Sequence, residues 1–220
     1  MKRNHLYGIA LVAVFLGIAP AAGAQSRQVI RGDAAGTIGW LAANTQSPSS
    51  YDRDDWASSL FGSGSVGWHW SDNLKTEFDF GAGTEADAYE TRQITVGTRT
   101  TYVSTRSHFA RRTLGLSQQY QFFHNSWFHP HVAAGVNLTW ERRTDDILPI
   151  YFYDDIARTS RLLEGQRTEG PDTSFTVRPF VALGYKAYMT ERMFFRNDLR
   201  IAFRGGIDET TLRLGFGFDF

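Results

Sequence analysis

The chain has 220 residues, no cysteine, 21 glycines, 6 prolines, 15% aromatic residues, and 23 basic against 23 acidic side chains. That is one domain's worth of chain, apolar enough at 42% to bury surface; its balanced charge excludes a basic nucleic-acid binder, a wholly disordered chain and a collagen-like fibre. The lack of cysteine excludes disulfide frameworks, thiolate nucleophiles and cysteine-ligated zinc or iron–sulfur centres.

Residues 1–24 read as a secretory signal peptide. Lys2 and Arg3 give the positive start, Leu6 to Ala19 the apolar stretch, and Ala22-Gly23-Ala24 the small residues before a cut at Gln25. A single spanning helix is the competing reading; the Pro20 break and the A-x-A ending argue against it. Export follows through the Sec pathway, with residues 25–34 expected as a periplasmic N-terminal segment and 35–220 as the folded domain.

Beyond residue 25 no apolar run of spanning length appears, and period-two alternation takes over. In chain order, Ile38 and Trp40 oppose Thr37 and Gly39; Val66, Trp68 and Trp70 oppose Ser65, Gly67 and His69; Leu74, Phe78 and Phe80 oppose Lys75, Glu77 and Asp79. Leu114, Leu116, Tyr120 and Phe122 oppose Thr113, Gly115, Ser117 and Gln119, and Val132, Val136, Leu138 and Trp140 oppose His131, Gly135, Asn137 and Thr139. Phe175, Val177, Val181 and Leu183 oppose Thr176, Arg178, Ala182 and Gly184; Met193, Phe195, Leu199 and Ile201 oppose Arg196, Asp198 and Arg200. The last strand sets Leu212, Leu214, Phe216, Phe218 and Phe220 against Arg213, Gly215, Gly217 and Asp219.

Eight strands result, joined by connections of alternating length. Short ones fall at 71–73, 124–127 and 190–192, long ones at 44–57, 84–107 and 144–173, with 205–208 a tight turn where a fourth long loop belongs. Aromatics crowd the short-turn ends: Trp68, Trp70, Phe122, Phe123, Trp127, Phe128, Tyr188, Phe194, Phe195, Phe218 and Phe220, expected as an interfacial girdle. A soluble carrier barrel would show the same alternation with its apolar face inside. Export, strand number, loop lengths and the aromatic girdle together favour an all-β, eight-stranded antiparallel up-and-down transmembrane barrel.

The terminal Leu212-Arg213-Leu214-Gly215-Phe216-Gly217-Phe218-Asp219-Phe220 resembles the last strand of bacterial outer-membrane proteins, which end in an aromatic residue after alternating apolar positions. The resemblance implies a porin-like small barrel of the OmpA-type or OmpW-type superfamily in the bacterial outer membrane. It also implies that Leu212, Leu214, Phe216, Phe218 and Phe220 form the signal read by the barrel-assembly machinery; with no segment in the sequence beyond Phe220, the peptidoglycan-binding domain of the longer relatives is not expected.

By register Lys75, Glu77, Asp79, Arg111, Glu141, Arg178, Lys186, Arg196, Asp198, Arg200, Arg213 and Asp219 point inward, where an eight-stranded barrel has room for side chains and little else. Pairing of these charges across the lumen gives a plugged barrel with an envelope structural or surface-interaction role. A narrow channel for small solutes or hydrophobic molecules is the alternative, and a lipid A-modifying enzyme a third. His124, His129 and His131 gather toward the periplasmic mouth without a carboxylate in sequence, and only His108 lies near the outer rim, with no nucleophile signature around it. No catalytic residue, cofactor or metal is assigned. Asp54-Asp55, Asp145-Asp146 and Asp154-Asp155, beside Arg53, Arg142-Arg143 and Arg158, stand in the long loops, where outer-membrane lipids and lipopolysaccharide are the expected partners. Pro130 and Pro179 are expected at bulges or strand ends, and Ile94, Val96 and Gly97 fall on strands projecting past the bilayer.

Overall fold

The computed structural model describes residues 32–45, 52–53, 56–96, 99–123, 127–154 and 158–220. The proposed signal peptide therefore lies outside the described residues. The elements are strands: β1 (Gly32–Asn44), β2 (Asp52–Arg53), β3 (Trp56–His69), β4 (Leu74–Gly83), β5 (Ala86–Val96), β6 (Arg99–Gln121), β7 (Phe128–Ile147), β8 (Ile150–Asp154), β9 (Thr159–Glu164), β10 (Arg167–Tyr188), β11 (Met193–Phe203) and β12 (Ile207–Asp219). Eight of them form a ring in the order β1-β3-β4-β6-β7-β10-β11-β12, each antiparallel to its neighbours, and β12 returns to β1. Closure leaves the ring without a free edge, the condition for a sheet that crosses lipid.

The seam joins the two ends of the domain. β1 pairs β12 from Asp33↔Asp219 to Ala43↔Glu209, and beyond it Gly32 and Phe220 exchange backbone hydrogen bonds of 3.0 and 2.9 Å. β1 thus starts at Gly32, ahead of residue 35, because its backbone continues to find partners in β3 and β12.

Strand alternation sorts the side chains. Ile38, Leu60, Val66, Phe80, Leu183, Phe216 and their neighbours in each column are exposed on the outside, Ile38 at 75% and Leu183 at 63%. Charged residues of the opposite columns are buried in the lumen. The short turns are built by side chains that accept backbone N–H groups: Ser71 Oγ takes Leu74 N at 3.1 Å, and Thr190 Oγ1 takes Met193 N at 3.0 Å. At the other end β11 turns into β12 through Gly205, whose φ of 75° lies in the left-handed region that favours glycine.

Three of the ring strands are about twice the ~9–11 residues that cross a bilayer: β6 has 23 residues, β7 20 and β10 22. Their outer halves and β5 form a sheet that rises past β1, β3, β11 and β12 on the long-loop side. The stretch 84–107, expected as a loop, is mostly the β5–β6 hairpin, and 144–173 holds the end of β7, the β8–β9 hairpin and the start of β10. Outside lipid neither face has to be apolar, so the period-two signature fades while backbone pairing continues; residues 167–175 of β10 are exposed on both faces. The β8–β9 hairpin rests on this sheet through Ile150, packed with Val103 and Ile147, and through Thr101 Oγ1, which donates to the Tyr151 carbonyl at 2.9 Å.

Pro130 sits near the start of β7. Pro179 does not bring a bulge: it stays in register opposite Val136, and the β7–β10 irregularity falls at Glu169/Asp172 instead. The proline is accommodated because β10 meets β11 only from Phe180↔Ala202 onward, so on that side it has no ladder bond to lose.

Candidate functional site: an ion-paired lumen

The lumen is filled in three tiers. At the short-turn end, Asp33 of β1 accepts from Lys75 at 3.0 Å, from Lys186, and contacts His69 Nε2 at 3.3 Å. Lys75 also reaches Glu77 at 2.6 Å; Glu77 is held by both terminal nitrogens of Arg196 at 2.7 and 2.8 Å. Lys186 lies 3.8 Å from Asp219, which accepts from the Tyr188 hydroxyl.

The middle tier centres on Asp79. Arg200 grips it with two parallel bonds, 3.0 and 2.8 Å, and gives a third to Asn137 at 3.0 Å, while its guanidinium stacks on Phe180 at 3.9 Å. Arg213 donates to Asp198 at 2.6 Å, and Arg196 reaches the other oxygen of Asp198 at 2.8 Å. Gly115 makes room here: a Cβ at that position would stand 2.4 Å from Asp79 Oδ2 and 2.9 Å from Asn137 Oδ1.

In the outer tier Arg111 binds Glu141 at 2.5 Å and Glu209 at 3.2 Å, and Arg178 binds Asp208 at 2.5 Å. Above this tier the interior turns apolar, with Leu41, Ala43, Phe61, Ala57, Ala86, Ala88 and Phe109 buried in two clusters.

Several of these bonds cross the barrel. β4 and β11 stand opposite each other in the ring, as do β6 and β12. Glu77–Arg196, Asp79–Arg200 and Arg111–Glu209 therefore span its diameter at hydrogen-bond distance. A charge so enclosed is tolerated because its partner comes with it, and the bidentate arginine–carboxylate geometry also satisfies several donors at once.

Sequence reasoning assigned Lys75, Glu77, Asp79, Arg111, Arg178, Lys186, Arg196, Asp198, Arg200 and Arg213 to a lumen charge network, and all ten side chains are buried inside the ring. It missed Asp33, Asp208 and Glu209, which are equally buried. Extending the alternation of β1 back from Thr37 through Ala35 reaches Asp33, and extending that of β12 from Thr211 reaches Glu209. Asp208 escapes the rule because the register shifts at Ala202/Phe203, leaving two consecutive residues inside. Two aromatics expected in the girdle belong to the interior instead. Phe194 is wholly buried beneath the Lys186 ammonium, 4.2 Å from the ring centroid, and the Tyr188 hydroxyl is bonded to Asp219. Leu212, Leu214, Phe216, Phe218 and Phe220 all face outward.

His129 and His131 share the inward face of β7. His129 and His131 are buried, His129 with its ring 5.2 Å from that of Tyr188; His124 lies outside the described residues. Among the described residues no group of His, Asp or Glu forms a metal-binding cluster; Asp54, Asp55 and Asp155 fall outside them. His108, on the outer sheet, has Nδ1 2.6 Å from Asp87 and Nε2 3.3 Å from Asp146. The Arg106 hydrogen bond, aided by His108, holds the Asp87 carboxyl below its usual range, and the Thr168 hydroxyl does the same for Asp146. Both ring nitrogens of His108 thus face carboxylates.

A closed antiparallel ring of eight strands, apolar outside and ionic inside, defines a transmembrane barrel of the bacterial outer membrane. The chain belongs to the outer membrane protein beta-barrel domain family, whose profile matches residues 9–220. No curated protein matches its sequence. Among solved structures it is similar to Neisserial surface protein A, at 14% identity and a TM-score of 0.50 over 86% of this chain and 96% of that one. It is also similar to the outer membrane protein OprG of Pseudomonas aeruginosa, at 14% identity and 0.49 over 87% and 97%. The N-terminal barrel domain of Pseudomonas aeruginosa OprF follows at 14% and 0.45, over 87% and 98%.

Proposed function

We propose that this barrel is a non-catalytic envelope protein with a closed lumen, whose contribution is structural or lies in surface interactions made by its tall outer sheet. The observation that carries this reading is the set of ion pairs spanning the diameter, Glu77–Arg196, Asp79–Arg200 and Arg111–Glu209. A hydrated ion entering from either side meets a guanidinium already bonded to a carboxylate on the far wall, and from outside it first meets the apolar layer of Leu41, Phe61 and Phe109. Passage requires breaking buried pairs, each break costing about 3–5 kcal/mol. The purified barrel in planar bilayers is expected to show no stable conductance step; a sizeable, long-lived one overturns the closed reading in favour of a channel.

Within the same reading, Leu212, Leu214, Phe216, Phe218 and Phe220 serve as the segment presented to the barrel-assembly machinery. Their unbroken outward column, ending where Phe220 pairs with Gly32 at the seam, supports this. Deleting Phe220 is expected to slow insertion in cells more than it lowers the stability of barrel refolded in detergent. Equal effects on both would leave Phe220 only a seam residue.

A further inference from the structure

On the outer face of β6 the column runs Leu116, Leu114 and then Arg112, all exposed; on β7 it runs Val136, the half-buried Leu138, Trp140 and then Arg142. The register places Arg112 opposite Trp140 and Arg142 opposite Ala110, so the two arginines are diagonal neighbours, with Cβ atoms about 7–8 Å apart. Both are exposed on the side of the wall that faces lipid, and neither makes an ion pair with any described residue. Of the carboxylates above the two arginines on this wall, Asp87 is held by Arg106 and His108 and Asp146 by His108 and Thr168, while Glu85, at the bend between β4 and β5, is exposed and forms no ion pair with a described residue. Glu141, between Trp140 and Arg142 in sequence, points the other way into the lumen, toward Arg111.

Their height on the wall identifies what they meet. From the aromatic end of β6 at Phe122 to Arg112 is ten residues, which on a tilted strand rises about 25 Å, the height of the apolar band of such a barrel. Arg112 and Arg142 are the first charges above that band on their strands. Just beneath Arg142, Trp140 packs on Phe175 of β10, ring centroids 5.3 Å apart, and both rings are exposed. Two uncompensated guanidinium groups over an aromatic shelf, at the level where acyl chains give way to headgroups, match an anionic headgroup whose tails lie along Leu114, Leu138 and Val177. Guanidinium is the cation best fitted to phosphate oxygens, because its planar N–H pairs bind them bidentately.

We propose that Arg112 and Arg142 clamp the phosphate of a phosphorylated glycolipid headgroup in the outer leaflet, with Trp140 and Phe175 supporting the sugar and the first methylenes. This site is on the outside wall and does not depend on whether the lumen conducts.

The full chain, folded and placed in phosphatidylcholine nanodiscs with bisphosphorylated lipid A, tests it by native mass spectrometry of the released barrel. The wild-type protein is expected to retain the lipid, and R112Q/R142Q to retain it at least about tenfold less, while remaining folded by heat-modifiable migration. Thr173→Asp sets a carboxylate beside Arg142, its partner in the β7–β10 register, and is expected to weaken retention with both arginines in place. Enzymatically dephosphorylated lipid A is expected to be lost from wild-type and variant alike. Equal retention by wild-type and both variants, equal retention of the dephosphorylated lipid, or full displacement by millimolar inorganic phosphate each overturns the proposal, the last by showing a site for free phosphate rather than lipid.

Discussion

Removing one member of a lumen pair is expected to cost far more than removing both. Asp79 and Arg200 form the cleanest case, since among the described residues Arg200 hydrogen-bonds no second carboxylate: its remaining hydrogen-bond partner is the neutral Asn137. Asp79→Leu leaves a guanidinium enclosed with two bonds broken, and the cost for orphaning a buried charge is about 3–5 kcal/mol, or roughly two to four powers of ten in the folding equilibrium. Arg200→Met leaves Asp79 with only the 3.7 Å contact to Arg213 and belongs in the same range. In the double variant no charge is stranded, and well-packed apolar side chains of similar volume bring the cost down to about 1 kcal/mol or less. Urea titration of the barrel in lipid vesicles, followed by tryptophan fluorescence, measures all three. A single-variant cost below about 1 kcal/mol, as for an exposed pair, or a double-variant cost equal to the sum of the singles, would refute the view that these residues are enclosed and mutually dependent.

Gly115→Val drives two methyls into Asp79 and Asn137 and is expected to destabilise the barrel by about 1–3 kcal/mol in the same titration, whereas Gly62→Ala, with nothing within 4 Å of its added Cβ, is neutral. Leu183→Arg places a charge on the lipid face, at a side chain 63% exposed, and is expected to cost about 2–4 kcal/mol in vesicles and much less in a mixed aqueous micelle; equal costs in both would contradict the outward facing. On the outer sheet, Asp87 and Asp146 have carboxyls lowered by Arg106, Thr168 and His108, so their contribution is full at neutral pH and falls away below about pH 4, as protonation passes through the lowered values. Amide protection in the β5–β6 hairpin, taken relative to the intrinsic exchange rate at each pH, should therefore fall on acidification into that window in wild-type protein and change less in Asp87→Asn.

Much of the ring is legible in the sequence because lipid imposes the alternation. Lys75, Glu77 and Asp79 cannot share a face with Leu74, Phe78 and Phe80 in any extended strand, and β12 repeats the contrast through Arg213 and Phe216. Legibility stops where that solvent contrast stops. The β5–β6 hairpin and the outer part of β10 meet water on both faces, so residues that pair in register there look like loop. Phe194 and Tyr188 were misplaced for a different reason: an aromatic ring suits both an interfacial girdle and a stack over an ammonium. In the Phe194-Phe195 pair only the period, not the residue type, says which one turns inward. Partner choice within the lumen was out of reach, since Glu77 meeting Arg196 depends on strands 119 residues apart coming to opposite walls.

The pairing of β12 with β1 also has a bearing on how the final strand finds its place. Greasy–polar alternation penalises a slip of one residue, which would push Arg213 into acyl chains and Phe216 into the ionic interior, but it is blind to a slip of two. The bonds from Arg213 to Asp198 and from Glu209 to Arg111 are sensitive to that difference. They act as a vernier, distinguishing among docked arrangements that oiliness alone would accept, and they bring the last-made strand home with its charges already matched.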